Sequence, residues 1–215
     1  MGIARWIATG LGIAAIGAVA AYAQYRDIEK PAYEIVIDDD GFELRDYQPM
    51  VVAEVTHTGS RRQAQGASFR RLAAYIFGQD RPAGGEEIPM TSPVITEKVD
   101  QNQEIAMTSP VMTENTGGDS WRMRFVMPAK YTLETLPAAP QDITLTQVPG
   151  RRIAAVRFDG NGSDADLAIM EKLLRDWINR KELTPVGMAE YAFYDAPMVP
   201  GPLRRNEVMI EVAAE

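Results

Sequence analysis

The segment Ile88-Pro-Met-Thr-Ser-Pro-Val-Ile-Thr-Glu97 returns almost unchanged as Ile105-Ala-Met-Thr-Ser-Pro-Val-Met-Thr-Glu114, 17 residues further along the chain. Only two of the ten positions differ between the copies. Between the copies, residues Lys98 to Gln103 are mostly polar and end in Asp100-Gln-Asn-Gln103, which is typical of a turn. Two similar segments on either side of a short polar loop predict a β-hairpin.

A third strand is predicted directly after the repeat, in Trp121-Arg-Met-Arg-Phe-Val-Met-Pro128. Its apolar residues at 121, 123 and 125 alternate with Arg122 and Arg124, and a period of two marks a strand with one buried face.

The repeat is open to a structural and a functional interpretation. Pro93 and Pro110 cannot donate a backbone hydrogen bond, so each is expected at a sheet edge, a bulge or a strand end. In the structural interpretation both copies enter the core through similar surroundings. In the functional one Met90 and Met107 contact a ligand. Methionine fills gaps in cores and in apolar sites alike, so the residue type does not decide.

The remaining chain alternates strand patterns with two helix patterns. Ser60 begins the first helix, which runs to about Phe77, and its inward residues are predicted to be Phe69, Leu72, Ala73 and Ile76. Ser163 begins the second, with Asp166 completing a capping box, and Thr184-Pro-Val-Gly187 ends it. Strands are predicted at residues 33–38, 42–47, 50–58, 143–148, 151–158, 191–193 and 208–212, with a hairpin around Pro149-Gly150. This order predicts an α+β fold with a mainly antiparallel sheet.

Composition excludes several kinds of function. The net charge is −8, and an acidic chain is a poor nucleic-acid binder because that affinity comes largely from neutralising phosphates. Cysteine is absent, which excludes disulfides, thiolate metal sites and a cysteine nucleophile. His57 is the only histidine, so a catalytic triad would have to use it, and no Gly-x-Ser-x-Gly elbow supports one. We therefore expect a protein that is not an enzyme.

The N-terminal segment predicts export. Residues 6–23 carry no charge and follow Arg5. A spanning helix needs roughly 20 apolar residues, whereas Ala21-Tyr-Ala23 before Gln24 fits a signal-peptide cleavage site. Residues 1–23 are thus a signal peptide or a single membrane-anchor helix, and 24–32 are a linker. Both alternatives place the rest on the exported side of the membrane, in the cell envelope. It is periplasmic if the segment is cleaved and membrane-bound through residues 6–23 if it is not.

Three motifs give the chain a family resemblance. They are Met-Thr-Ser-Pro-Val in each copy of the repeat, Phe125-Val-Met-Pro128, and Tyr194-Asp-Ala-Pro-Met-Val-Pro-Gly-Pro-Leu-Arg-Arg-Asn-Glu-Val208. With them the chain resembles the SOUL heme-binding protein family over residues 33–212. The resemblance implies a duplicated β-α-β-β unit whose sheet curls into a distorted barrel flanked by two helices.

The same resemblance implies that heme or another porphyrin is held by apolar contacts in a groove beside the first helix. Apolar and aromatic side chains suited to such a site occur on that helix, at Phe69, Leu72 and Ile76, and in the last loop, at Tyr194 and Met198. Iron takes axial ligands from histidine, tyrosine or methionine, so His57 is a candidate. Alternatively, His57 is a hydrogen-bonded histidine at a strand end.

Two other functions stay open from the sequence. The expected architecture also resembles the effector-binding domains of bacterial multidrug regulators, which take bulky apolar cations using buried acids. Glu97 or Glu114 would then have to face the site, whereas an apolar groove rimmed by arginines favours heme. A non-binding envelope scaffold is the third option.

Overall fold

The structure is a computed structural model that describes residues 28–81, 85–99, 119–196 and 198–214. Within these ranges the chain forms nine strands, two α-helices and one short 3-10 helix. The helices are α1 (Arg61–Ile76) and α2 (Asp164–Arg180), and the 3-10 helix is Gly201–Leu203. The strands are β1 (Tyr33–Asp39), β2 (Phe42–Tyr47), β3 (Met50–Thr58), β4 (Val94–Val99), β5 (Ser120–Val126), β6 (Thr144–Val148), β7 (Arg151–Asp159), β8 (Pro185–Phe193) and β9 (Arg205–Val212).

All nine strands belong to one sheet, in the order β1-β2-β7-β9-β8-β4-β5-β3-β6. Every neighbouring pair is antiparallel. The α+β class and the antiparallel sheet are thus confirmed. β1 and β6 are the two edges, and β1 carries an irregularity between Ile35 and Ile37.

Both faces of the sheet are buried. One face packs under α1, where Leu72 and Ile76 join Val55 and Met123, and under α2, where Leu174 and Trp177 join residues of β7 and β9. On the other face, Tyr47 of β2 and Val52 of β3 share a cluster although five strands separate β2 from β3 in the sheet order. Residues so far apart in a sheet meet only if the sheet curls, so this second face is the inside of a half-barrel.

The two halves of the sheet have the same strand order. β5 lies between β3 and β4, as β9 lies between β7 and β8, and a helix links the first two strands of each set. The halves meet where β4 pairs with β8.

The repeat is only partly within the described residues. Its first copy ends in β4, and the predicted third strand is β5, which pairs with β4 directly. Over Val94–Glu97 the two edges of β4 are occupied by β5 and β8, so the hairpin predicted between the copies finds no free edge there. The second copy, Ile105 to Glu114, lies outside the described residues.

The hairpin predicted around Pro149-Gly150 is wrong. β6 pairs with β3, whereas β7 pairs with β2 and β9, so this turn links two parts of the sheet that are not neighbours. A Cβ on Gly150 would lie 3.1 Å from the Tyr47 carbonyl oxygen and 3.6 Å from Pro49 Cδ. Gly150 therefore lets the two connections that cross this end of the half-barrel pack closely.

The helix predictions are largely correct. The Ser163 hydroxyl accepts a hydrogen bond from Asp166 N, and the Asp166 carboxylate accepts one from Ser163 N, which is a capping box. The second helix ends before β8 begins at Pro185, and this strand is longer than expected. α1 is rotated from the prediction, since its buried residues include Ser68 and Tyr75 whereas Phe69 is 37% exposed.

In the described part of the chain, no helix has the length and hydropathy to cross a membrane. The apolar segment of residues 6–23 lies outside that part.

Candidate functional site

His57 lies near the end of β3, where it faces α1. Its ring is half-buried, and its Nδ1 lies 2.9 Å from the hydroxyl of Ser68, a buried residue of α1. Trp121 is its partner across the β3–β5 pairing. His57 thus links the strand to the helix, as the hydrogen-bonded alternative describes. Its role as an axial ligand stays a prediction.

The three apolar residues predicted on the first helix differ in burial. Leu72 and Ile76 are completely buried against the sheet, so in this structure they line no groove. Phe69 reaches the surface, and its ring packs edge-on against Phe125 at 5.4 Å between centroids. The helical spacing identified residues that share one side of α1, but that side meets the sheet rather than an open site.

Tyr194 and Met198 lie away from α1. Tyr194 is buried in the inner face of the half-barrel, and its hydroxyl donates to Glu207 Oε2 at 2.7 Å. Met198 is 86% exposed, in the loop between β8 and β9. The six predicted site residues are therefore spread over the core beneath α1, the inner face and a surface loop, and their ligand contacts stay predictions.

The carboxylate that Tyr194 binds is the centre of a buried network. Arg45 donates to the two oxygens of Glu207 at 2.7 and 3.0 Å, and Arg205 donates to Oε1 at 2.5 Å. Burial alone would raise the pKa of Glu207, but Arg45 and Arg205 outweigh it and hold the pKa below its usual value. Asn206 donates to the Gly160 carbonyl at 2.9 Å. These hydrogen bonds hold β9 in place, so Arg205, Asn206 and Glu207 of the last motif contribute to the fold.

A second set of charges lies on the inner face, on the other side of its apolar cluster. Arg124 approaches three carboxylates, those of Glu54 and Glu97 at 3.0 Å and that of Glu190 at 3.2 Å. Arg151 binds both oxygens of Glu190 at 2.6 and 2.8 Å. The members of this set are Glu54, Glu97, Arg122, Arg124, Arg151, Glu190 and Glu211.

A cavity of about 450 Å³ opens at one end of the sheet. We call it the end cavity. Three of its walls come from the linker at Glu29–Ala32, the β2–β3 connection at Gln48–Val51 and the segment Val126–Ala129 that follows β5. The fourth is the turn Tyr131–Glu134, and Thr91 and Gln147 complete the lining.

The end cavity combines an apolar lining with a few polar groups at its rim. Met50, Met127 and Tyr131 supply two thioethers and a phenol, while Glu29, Lys30 and Glu134 supply charge. Small-molecule sites have this composition and a volume of about 300–1,000 Å³. Sequence reasoning missed this site, although Thr91 belongs to the repeat and 126–128 belong to Phe125-Val-Met-Pro128. The motifs were visible, but their meeting place depends on the strand order.

A crevice beside α1 is the other depression near the predicted site. It is lined by Ser68, Thr96, Trp121 and Met123, with Arg61, Gln65 and Arg122 at its edges, and it has no interior space even for a water molecule. Within the described part of the chain, the buried indole N–H of Trp121 lacks a hydrogen-bond partner. The crevice is therefore a less suitable ligand site than the end cavity.

Comparison with known families identifies the domain. The family model described as SOUL heme-binding protein matches residues 28–104 and 95–211. The chain belongs to this family. The two matched segments of the SOUL domain overlap at residues 95–104, which begin within the first copy of the repeat and end just before the second. Heme is therefore consistent with this chain as a ligand. A search of curated proteins gives no match to the SOUL chain.

Solved structures share the fold of this SOUL domain. The C-terminal domain of EcmrR matches with a TM-score of 0.56 at 11% identity, over 85% of this chain and 99% of that domain. A protein from Listeria innocua described as a hydrolase matches with a TM-score of 0.51 at 11% identity, over 83% of this chain and 94% of its own. At such identities the likeness shows the fold alone.

Proposed function

We propose that this SOUL-family protein binds heme or another tetrapyrrole without catalysing a reaction, and that the end cavity is the binding site. The observation that carries this proposal is the meeting of residues from two family motifs at one cavity of about 450 Å³. The role would be carriage, buffering or sensing of the ligand.

The chemistry of the end cavity fits heme. A porphyrin ring needs apolar surroundings, and Met50, Val51 and Met127 supply them. Iron accepts axial ligands from methionine or tyrosine, so Met50, Met127 and Tyr131 are suitable donors within the lining. Lys30 at the rim would pair with a propionate. When bound, the iron supplies ligand-exchange and redox chemistry, and the protein's residues supply the apolar enclosure.

We further propose that the domain lies on the exported side of a membrane, anchored through residues 6–23 or released into the periplasm. The uncharged segment after Arg5 supports this location. We also infer that the domain arose by duplication of a β-α-β-β unit, because β3-α1-β4-β5 and β7-α2-β8-β9 have matching strand orders.

The binding of apolar cations is the second candidate function. It requires an inward acid, and Glu97 does face the inside of the half-barrel. Its carboxylate is, however, within 3.0 Å of both Arg122 and Arg124, so its charge is matched inside the protein. Glu114 lies outside the described residues. We therefore prefer the heme proposal.

Titration of the full-length chain with hemin in mild detergent tests the proposal. We expect a saturable shift of the Soret band at one equivalent. Leu133→Glu, at the cavity mouth, should weaken binding at least tenfold, or about 1.4 kcal/mol. The matched control is Leu203→Glu, which is even more exposed (70% against 39%) and far from the cavity.

Two outcomes would count against the proposal. An unsaturated response in the unaltered protein would reject heme binding. Loss of the Soret shift in His57→Ala, with unchanged binding in Leu133→Glu, would indicate that heme binds beside α1 and not in the end cavity. Displacement of hemin by the bulky cation rhodamine 6G would favour the second candidate function.

A further inference from the structure

We propose that the end cavity faces the lipid bilayer, so that its ligand enters from the membrane rather than from water. This rests on the proposed anchorage of residues 6–23. The partner of the end cavity is a lipid surface, and the ligand is an apolar or amphipathic molecule dissolved in that surface. The proposal is carried by the place where the linker joins the cavity.

The linker is fixed to the cavity wall. Glu29 and Ala32 accept backbone hydrogen bonds through their carbonyls, from Ser92 N at 2.9 Å and from Gln48 N at 3.1 Å. The Glu29 carboxylate also accepts one from Ala129 N at 2.6 Å. Since Gln48 and Ala129 line the cavity as well, the chain leaves the domain at the cavity itself.

The chain between the apolar segment and this wall is short. Six residue steps separate Ala23 from Glu29. At about 3.3–3.6 Å per residue they span at most about 22 Å. An inserted segment would therefore hold the cavity end of the domain close to the bilayer surface.

The opposite end of the domain lies much farther away. β7 begins next to Pro49 in the cavity wall and is nine residues long, which is about 26 Å at about 3.3 Å per residue. At its far end Gly160 N donates to the Arg204 carbonyl at 3.1 Å, beside the 3-10 helix that ends at Leu203. The two ends can therefore be told apart by their distance from a membrane.

The rim of the end cavity suits a membrane interface. Leu133 is a partly exposed apolar side chain at its mouth, and the charged side chains of Glu29, Lys30 and Glu134 surround it, as the head groups of a bilayer require. An apolar ligand could then pass between the acyl chains and the lining of Met50 and Met127 without crossing water.

Single-cysteine labelling tests this orientation, because the chain has no cysteine of its own. Leu133→Cys and Leu203→Cys would each be labelled with bimane in the full-length chain. The labelled proteins would be reconstituted into vesicles of phosphatidylcholine and phosphatidylglycerol that contain lipids with a nitroxide on the head group. We expect quenching at position 133 to be at least threefold stronger than at position 203.

Equal quenching at the two positions, or stronger quenching at 203, would overturn the proposal. The chain has three tryptophans, so the check on anchorage is the quenching by brominated acyl chains that is lost in Trp6→Phe. Trp6 is quenched only if residues 6–23 enter the bilayer, and without that difference the proposal also fails. Hemin titration in detergent is independent of orientation. Failure of heme binding is therefore distinguished from failure of the membrane-facing arrangement.

Discussion

Glu97 and Glu190 lie directly opposite each other on β4 and β8, and Arg124 contacts the carboxylates of both. Like charges at opposed positions destabilise a sheet, so the arginine joins the two halves of the half-barrel by bridging them. The pKa values of the two acids move apart. Burial raises that of Glu97 despite Arg124, whereas at Glu190 the pull of Arg151 outweighs burial and lowers it.

The two acids should therefore differ in their contribution to stability. Removing one partner of a buried ion pair typically costs about 3–5 kcal/mol. We expect Glu190→Gln to lower the free energy of unfolding at pH 7 by about 3 kcal/mol, because Arg151 loses its bidentate partner. Glu97→Gln should cost less than half as much, because Arg124 keeps Glu54 and Glu190. Urea denaturation measures both, and equal losses would contradict this account.

The same pair predicts a pH dependence. The lowered pKa of Glu190 contributes stability above the usual glutamate value of 4.5, and this is lost as the pH falls through the lowered pKa. Glu97 has the opposite sign, since its raised pKa makes the folded protein bind the proton more readily than the unfolded chain does. As the pH falls from 7 towards the usual glutamate value of 4.5, the unaltered protein should therefore gain stability relative to Glu97→Gln. If the melting temperatures of the unaltered protein and of Glu97→Gln changed with pH by the same amount, this prediction would be refuted.

Two ion pairs of similar geometry differ in burial, so they should differ in how much they contribute to stability. Glu207 is completely buried and bound by Arg45, whereas Asp46 is 41% exposed and binds Arg152 at 2.7 Å. Glu207→Gln should destabilise the protein by about 3–5 kcal/mol and Asp46→Asn by under about 1 kcal/mol. Hemin affinity per folded molecule should not change in either variant. A large change in Glu207→Gln would show that the last motif contacts the ligand.

The two helix starts provide a matched pair of serines. Ser163 caps α2 through its side chain, but the Ser60 hydroxyl donates to Gln63 and caps no backbone N–H of α1. Ser163→Ala should lower the free energy of unfolding by about 1 kcal/mol, and Ser60→Ala by only a few tenths. Thermal denaturation at neutral pH would check this, and equal losses would mean that the caps do not differ in solution.

His57 and Ser68 should behave as a coupled pair. Loss of their hydrogen bond should cost about 1 kcal/mol, so we expect His57→Ala and Ser68→Ala each to destabilise by at least that amount. The double variant should lose less than the sum. The Soret spectrum should be unchanged in both single variants. A shifted Soret band in His57→Ala alone would instead support the axial-ligand prediction.

Local sequence patterns were sufficient to predict the helices and strands but not to predict which strands pair. Alternation in residues 121–125 and the capping residues at Ser163 are encoded within a few positions, and both were predicted correctly. The partner of a strand is decided by the whole sheet. Pro149-Gly150 looks like a hairpin turn, yet β6 and β7 have different neighbours because the turn crosses an open end of the half-barrel.

The candidate site shows the same limit. Leu72 and Ile76 have the spacing of one helix side, but spacing does not tell whether that side meets a sheet or a ligand. Tyr194 was correctly recognised as part of a specific motif, and its hydroxyl donates a hydrogen bond to Glu207. The end cavity collects residues from the linker, two connections and the repeat, so only the assembled fold brings them together.

The irregularity in β1 has a consequence for how molecules of this protein meet one another. Among the residues that the structure describes, β1 pairs on one side only, with β2, and an open sheet edge of this kind recruits strands from other molecules. The bulge between Ile35 and Ile37 and the acidic Glu34, Asp38 and Asp39 make β1 a poor template for a second flat strand. The shape and charge of this edge thus disfavour aggregation of the protein through β1.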